Sequence, residues 1–580
     1  MPGISRRAYT LASTALALGL LTALPARAQS TSSVTTIESQ IKALQRELQE
    51  LKRQMQAKDA TVRAAREAAQ QAKESAAQAK AAAAAPPPPA MAAPPGTMVS
   101  IAPGPTPNIP GVSSGGTPPG GPPGDPDVSK GAIRLGGVTI SLGGTFLAGE
   151  GAFRTKNQSG DLVSSFNGIP FSQTAGGHES QVTLSGRQTR VALLAYGDPT
   201  PSVRISGYVE SDFLAGSTNG NYNETSSYSP RIRQGYAAVD YDDRPDDIGL
   251  HVLAGQAWTL LTPNTAGILP RKEALPPVID PQYVVGYTWA RQAQIRLSAD
   301  ILDHKLWAAL SVEQPQSTFS LGGYTAGVAS STITLPSGAT VNYANAGIAP
   351  NNTANFYSVN GIPDFVGKIA ADPGFGHYEL VGLLRVLTDR VELGAGKSGS
   401  NDNSLAGGVG ANANIRVFPL LDLQGNVLVG QGIGRYGSGQ LPDATVKPNG
   451  ELSPIPEVEA MVGGIAHPLP TLDVYGFAGA EIESKDAFSV AGKGYGYGSP
   501  LLTNTGCGTE LSAATCTANT KALYEGTVGF WYRPYKGNYG TLQTGAQYEH
   551  ILRDAFIGVG GTPRANEDTV MLSLRYYPFQ

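Results

Sequence analysis

From residue 131 to the C-terminus the chain repeats one pattern: roughly ten residues of alternating apolar and polar character, then a turn or loop. Strand side chains have a period of two. In 203–213 that period sends Val203, Ile205, Gly207 and Val209 one way, and Arg204, Ser206, Tyr208, Glu210 and Asp212 the other. One face suits lipid and the other water, which is the pattern of an all-β transmembrane barrel. Charged residues are only 15% of the chain and glycine reaches 72 residues, yet no long apolar helix accounts for the low charge. Strands with one lipid face and one polar face do.

The one apolar helical stretch, 8–24, is short for a span. Arg6 and Arg7 precede it and Ala26-Arg27-Ala28 follows, so residues 1–28 read as a secretory signal peptide. No cysteine follows the cleavage site, which argues against a lipid anchor. An exported chain with no second apolar helix either stays free in the periplasm or inserts as a closed barrel, and the alternation favours the barrel. The formal net charge of -4 includes Arg6, Arg7 and Arg27, so it becomes -7 once the signal is removed. Nothing in the composition points to nucleic acid.

Residues 29–85 open with a heptad pattern. Val34, Ile41, Leu48, Met55 and Val62 fill one seam position and Ile37, Leu44 and Leu51 the other, a coiled coil of about four heptads that reads as an oligomerisation element. Ile at both positions of the first heptad leans towards three strands. An alanine-rich helical stretch follows. Residues 86–130 are rich in proline and glycine and cannot bury a core, so they read as a disordered linker. The barrel then occupies 131–580.

Strand tracts are expected at 136–154, 180–197, 202–216, 229–242, 248–258, 285–300, 303–314, 363–372, 376–390, 404–418, 420–434, 456–468, 471–485, 521–533, 538–552 and 567–578. About sixteen is an even number, as a single-chain bacterial barrel requires. Tight connections such as 197–201 alternate with long ones such as 316–363, and the tight turns belong on the periplasmic side with the coil. Cys507 and Cys516, the only cysteines, lie in an irregular Gly/Thr/Ala-rich stretch. In an oxidising compartment they read as a loop-closing disulfide, since two lone thiols make a poor metal site.

Several motifs, S-G-R-Q-T-R at 185–190, G-Y-V-E-S-D-F at 207–213, S-P-R-I-R-Q-G-Y at 229–236, L-A-G-Q-A-W-T-L-L at 253–261 and R-Q-A-Q-I-R at 291–296, carry a resemblance. With signal, coil, linker and barrel, the chain resembles the DcaP-like outer-membrane porins of Gram-negative bacteria. The motifs are dense in the first half of the barrel; after residue 315 the match is one of architecture. The aromatic-ended last strand resembles the signal read by the barrel assembly machinery, although Pro578 and Gln580 depart from a terminal Phe. The resemblance implies a homotrimer among outer-membrane lipid and lipopolysaccharide, with a periplasmic coiled coil and a passive pore for small hydrophilic solutes. In some members the pore favours small organic anions such as dicarboxylates.

A pore selects by width and by the field across its constriction. Strand parity places basic Arg204, Arg231, Arg233 and Arg296 inward, and acidic Glu457, Glu459, Asp473, Glu481 and Glu483 inward as well. The fourth and twelfth of sixteen strands lie opposite each other, so an arginine wall would face a carboxylate wall. The alternative is that these charges solvate a wide lumen or pair with neighbouring strands. The proline-stiffened segment 262–283 holds Arg271, Lys272, Glu273 and Asp280 and reads as a constriction loop folded into the channel, or else an outward lid or trimer contact. Arg385, Arg416 and Arg575 are weaker lumen candidates.

No enzyme signature is found. The six histidines lack metal-ligand spacing, the glycine run 492–498 has no following helix, and no cofactor motif is present. A second functional reading is structural: the coil and linker tether the outer membrane to peptidoglycan or another periplasmic partner, and the barrel is chiefly an anchor.

Overall fold

The protein is described by a computed structural model covering residues 132–158, 161–215, 229–243, 248–320, 322–324, 332–342, 356–392 and 399–580. The signal peptide, coiled coil and linker lie outside the described residues. Among these residues no helix is long and apolar enough to cross a membrane, and sixteen strands close into one cylinder.

Strand β1 is built from Val138–Ser141 and Leu147–Arg154, and β2 from Gln181–Ser185 and Val191–Thr200. Each is a single long strand interrupted near its middle, and the two stay paired across the interruption through Phe146 and Arg190. Then follow β3 (Val203–Asp212), β4 (Arg231–Asp243), β5 (Ile248–Trp258), β6 (Arg291–Ile301) and β7 (Leu306–Glu313). The far side is β8 (Asp364–Ala371), β9 (Gly376–Glu392), β10 (Ser400–Phe418) and β11 (Leu421–Gln431). The ring is completed by β12 (Pro456–Leu469), β13 (Leu472–Glu483), β14 (Thr520–Gly537), β15 (Gly540–Ala555) and β16 (Arg564–Tyr577). Each strand pairs antiparallel with the next, and β16 pairs with β1 from Thr569↔Arg154 to Tyr576↔Leu147. That last pairing closes the ring, so neither the first nor the last strand presents a free edge to lipid.

The period-two reading holds in three dimensions. Along β16, Val570, Leu572, Leu574 and Tyr576 are exposed outward while Met571, Ser573, Arg575 and Tyr577 are buried inward. Exposed apolar residues recur around the ring, for example Leu184, Ile205, Leu297, Leu380, Val409, Val462 and Val528. Towards the short-turn end the outer surface carries exposed Tyr241, Phe375, Phe418, Tyr532, Tyr535 and Tyr576, the amphipathic rings that sit at a bilayer interface.

One tract needs correction. The expected strand 285–300 begins at Arg291, and 285–290 instead lie inside the cylinder. Val284, Val285 and Tyr287 are fully buried there, because a segment lying on the inner wall is apolar and alternating without belonging to the sheet.

At the long-loop end, the β7–β8 and β11–β12 connections build a four-stranded sheet from Gln316–Ser320, Phe356–Val359, Ala444–Val446 and Leu452–Pro454. A hairpin, Asp486–Val490 with Lys493–Tyr497, comes from the β13–β14 connection. In the same connection Cys507 and Cys516 are joined by a disulfide. Cys507 packs with Phe166, Ile169 and Phe171 of the β1–β2 connection.

Candidate functional site: the lumen

The β5–β6 connection, 259–290, folds into the cylinder and is fastened to strands all round it. Near its start, Leu260 N donates to Glu313 of β7 at 2.9 Å, and Asn264 N donates to Glu379 of β9 at 3.1 Å. Lys368 of β8 donates to the Thr262 carbonyl at 2.7 Å and to Asn264 at 2.9 Å. Farther along, Trp531 of β14 donates to the Pro277 carbonyl at 2.6 Å. Ile279 N donates to Gln547 of β15 at 2.6 Å, and its carbonyl accepts from Gln188, between the two pieces of β2, at 2.7 Å. The returning leg donates from Val285 N to Glu525 and from Gly286 N to Glu481, both at 2.8 Å, and from the Thr288 hydroxyl to Glu459 at 2.9 Å. An apolar seam of Val278, Ile279, Tyr283, Val284 and Tyr287 packs on Met461, Tyr475, Phe477 and Trp531 of the wall.

Gly286 shows how close the approach is. Its φ is +82°, and a Cβ there would stand 2.0 Å from the Ala460 carbonyl oxygen. A Cβ on the facing Gly479 would stand 1.8 Å from the Val285 carbonyl oxygen. Only a glycine at each position lets the loop backbone lie on the wall.

The candidate residues therefore fall into unlike settings. Glu457, Glu459, Glu481 and Glu483 face inward, with Glu457 opposite Glu483 and Glu459 opposite Glu481 across β12 and β13. None is more than 3% exposed, because the inserted loops lie over them. Glu481 also accepts from Gly439 N of the β11–β12 connection at 2.9 Å. The expected open carboxylate wall is thus a covered one, since parity fixes which way a side chain points and not what lies over it. Asp473 sits elsewhere, near the short-turn end, and accepts from Arg533 and His467, both at 2.7 Å.

The basic residues divide as well. Arg231 and Arg233 meet Asp212, at 2.7 and 2.8 Å, and Arg233 is also paired with Glu210. Arg233 is buried, while Arg231 keeps 25% of its side chain exposed. Arg204 lies apart from them at the short-turn rim, paired with Asp198 at 2.7 Å over the Tyr196 ring. Arg296 is buried and donates to the Trp258 carbonyl at 2.5 Å, so it anchors the start of the loop. Arg575 pairs with Glu150 at 2.8 Å and Arg416 with Asp422 at 2.8 Å. Arg385 is wholly buried.

On the loop itself, Arg271 has φ +64°, donates to the Tyr236 hydroxyl at 3.0 Å and stands over the Tyr208 ring. It faces β3 and β4, and with Lys272 and Glu273 it is partly exposed. Asp280 is buried and accepts from Gln282 N at 2.8 Å and Ser164 N at 3.4 Å. Burial pushes its carboxyl above the usual carboxylate range, against those hydrogen bonds and nearby Arg154.

Arg187, Arg190 and Arg291 were not singled out by sequence. Arg187 pairs with Asp161, and Arg190 lies 3.6 Å from Glu210 over the Phe146 ring. Arg291 stands between the Trp258 and Trp289 rings, at 5.0 and 5.3 Å. All three are partly exposed. Their signal was present, since they lie in the S-G-R-Q-T-R and R-Q-A-Q-I-R motifs. Among the described residues, no three His, Cys, Asp or Glu side chains converge to hold a metal ion.

A closed sixteen-strand cylinder, apolar outside, polar inside and narrowed by an inserted loop, defines a transmembrane β-barrel of the porin type. No family model matches the sequence, and no curated protein matches it significantly. Among solved structures the chain is similar to the outer membrane channel DcaP of Acinetobacter baumannii, at 19% identity and a TM-score of 0.50, covering 76% of this chain and 98% of that one. The chain thus has the fold of that channel. More distant likenesses are an anion-selective porin from Comamonas acidovorans (10% identity, TM-score 0.39, 76% and 99% covered) and the trimer form of OmpT of Vibrio cholerae (9%, 0.37, 76% and 99%).

Proposed function

We propose that this chain is an outer-membrane diffusion channel for small hydrophilic solutes that favours small organic anions. It works as a homotrimer with its N-terminal coil in the periplasm. One observation carries the anion preference: around the inserted loop on the β1–β4 side, more basic than acidic side chains keep some exposed surface. On the β1–β4 side, Arg187, Arg190 and Arg231 are partly exposed, and Arg271, Lys272 and Arg291 are partly exposed from the loop and the start of β6. Glu210 and Asp212 lie buried beneath the arginines, and the glutamates of β12 and β13 lie beneath the loops. Glu273 and Asp161 are the partly exposed acids near this basic stretch. A narrow low-dielectric passage lined by one sign of charge raises the local concentration of the opposite sign.

The test is the reversal potential of the purified full-length protein in a planar bilayer under a potassium chloride gradient. The sign expected is that of chloride preference, with current steps in groups of three. A folded but silent barrel removes the channel reading and leaves the tether; a potassium preference removes the anion reading alone.

A further inference from the structure

Arg385 lies on the inner face of β9 with no exposed surface, and its guanidinium is shared among three separate pieces of chain. Nε donates to Asp364 of β8 at 3.0 Å. Nη1 donates to Asp443 at 2.7 Å and to the Gly432 carbonyl, both in the β11–β12 connection. Nη2 donates to the Gln316 carbonyl of the β7–β8 connection. The plane stands 5.2 Å from the centre of the Tyr436 ring, whose hydroxyl donates to Asp364 at 2.8 Å.

The turn so seated reaches the constriction. Trp289 N donates to the Tyr436 carbonyl at 2.8 Å, Thr288 bridges to Gly437, and Gln292 donates to the Tyr436 hydroxyl at 3.2 Å. Trp289 is one of the two rings flanking Arg291. A chain of directional contacts thus runs from the β9 wall, through the 434–437 turn, to the returning leg of the inserted loop.

Stability alone does not account for a charge placed this way. Removing an arginine and two carboxylates from water is costly, and apolar replacements of similar volume are often neutral or stabilising. What an apolar residue cannot supply is the rigid fork of donors that holds several oxygens in one plane at fixed angles.

We propose that Arg385 is the positioning residue of the channel, setting the width and solute discrimination of the constriction through Tyr436 without touching the solute. This rests on the channel reading above. The test uses the full-length protein in planar bilayers and swelling liposomes, with folding followed by heat-modifiable migration on gels. Three variants are compared: Arg385→Lys, Tyr436→Leu, and the charge-compensated Arg385→Met/Asp443→Asn, which removes one charge of each sign and leaves Asp364 facing Arg435 at 4.0 Å. The compensated variant is expected to fold as a barrel, with single-channel conductance raised about two-fold, frequent flicker, and a smaller difference in swelling rate between small and large sugars. Tyr436→Leu should reproduce the flicker, and Arg385→Lys should restore part of the wild-type discrimination. Folded variants with wild-type conductance and sugar discrimination overturn the proposal, and Tyr436→Leu decides the matter alone if the compensated barrel fails to assemble. A wild-type barrel that shows no steps defeats the channel reading instead, so the two failures are distinguishable.

Discussion

The two sides of the cylinder use one strand pattern to different ends. On β1–β4 the inward arginines are set over their own carboxylates, and Arg190 and Arg231 keep part of the side chain exposed. On β12–β15 the inward glutamates have almost no exposed surface, and two of them, Glu481 and Glu525, hold the backbone of loops laid over them. A carboxylate that faces a loop accepts its N–H groups; a guanidinium that faces water offers its N–H groups to a solute. If the channel favours anions, the arginine side is the one that meets the solute, while the covered glutamates help hold the loop.

The strongest way to break that contrast is to lift the loop. Gly286→Val places side-chain atoms where the Ala460 carbonyl lies 2.0 Å from the Cβ position, at a positive φ. The loop should be driven towards the axis, with conductance falling about three-fold or more in bilayer recordings. An unchanged conductance would mean that the loop does not set the narrowest point. Next is Arg233→Ala, which takes the closest base from buried Glu210 and leaves buried Asp212 with Arg231 alone. A cost of about 3–5 kcal/mol is expected, seen as a clear drop in the temperature at which the folded band is lost on gels, together with weaker anion selectivity.

Two gentler changes sharpen the comparison. Arg231→Ala removes a partly exposed charge whose Asp212 partner keeps Arg233, so the reversal potential should move towards zero with little change in stability. Glu481→Gln removes one charge from the covered side and should leave the reversal potential where it was. Equal shifts in these two variants would show that the glutamate wall is open after all. The smallest effect belongs to Cys507→Ser/Cys516→Ser. The disulfide closes a loop with a sequence separation of 9, so conductance should be unchanged, while the chain-entropy estimate for such a loop is about 2–3 kcal/mol. Faster proteolysis of that connection would report the loss.

Much of the fold was legible because a barrel strand is read twice, once from its alternation and once from the turn that follows. Ile205 and Val209 had to face outward, and Glu210 and Glu481 inward. The segment 285–290 defeated the reading because an inner layer satisfies the same alternation against a wall. The covering of Glu457 and Glu483, and the clasp at Arg385, were illegible for a related reason. They depend on connections distant in sequence, with Asp443 coming to Arg385 from 58 residues away, and no local spacing encodes such a meeting.

The seam between β1 and β16 has a consequence for how such a molecule comes to exist. Ser573 donates to Glu150 from 423 residues away, and the backbone ladder beside it ties the end of the barrel sequence to its beginning. Until the last strand arrives, every partial sheet has two open edges and an apolar face, a state prone to pair with other chains. No shorter version of the cylinder is a safe resting point, and contacts so distant in sequence form slowly. The chain therefore has to be kept apart from its neighbours from the time it emerges until its last strand, the fourteen residues Arg564–Tyr577, is in hand.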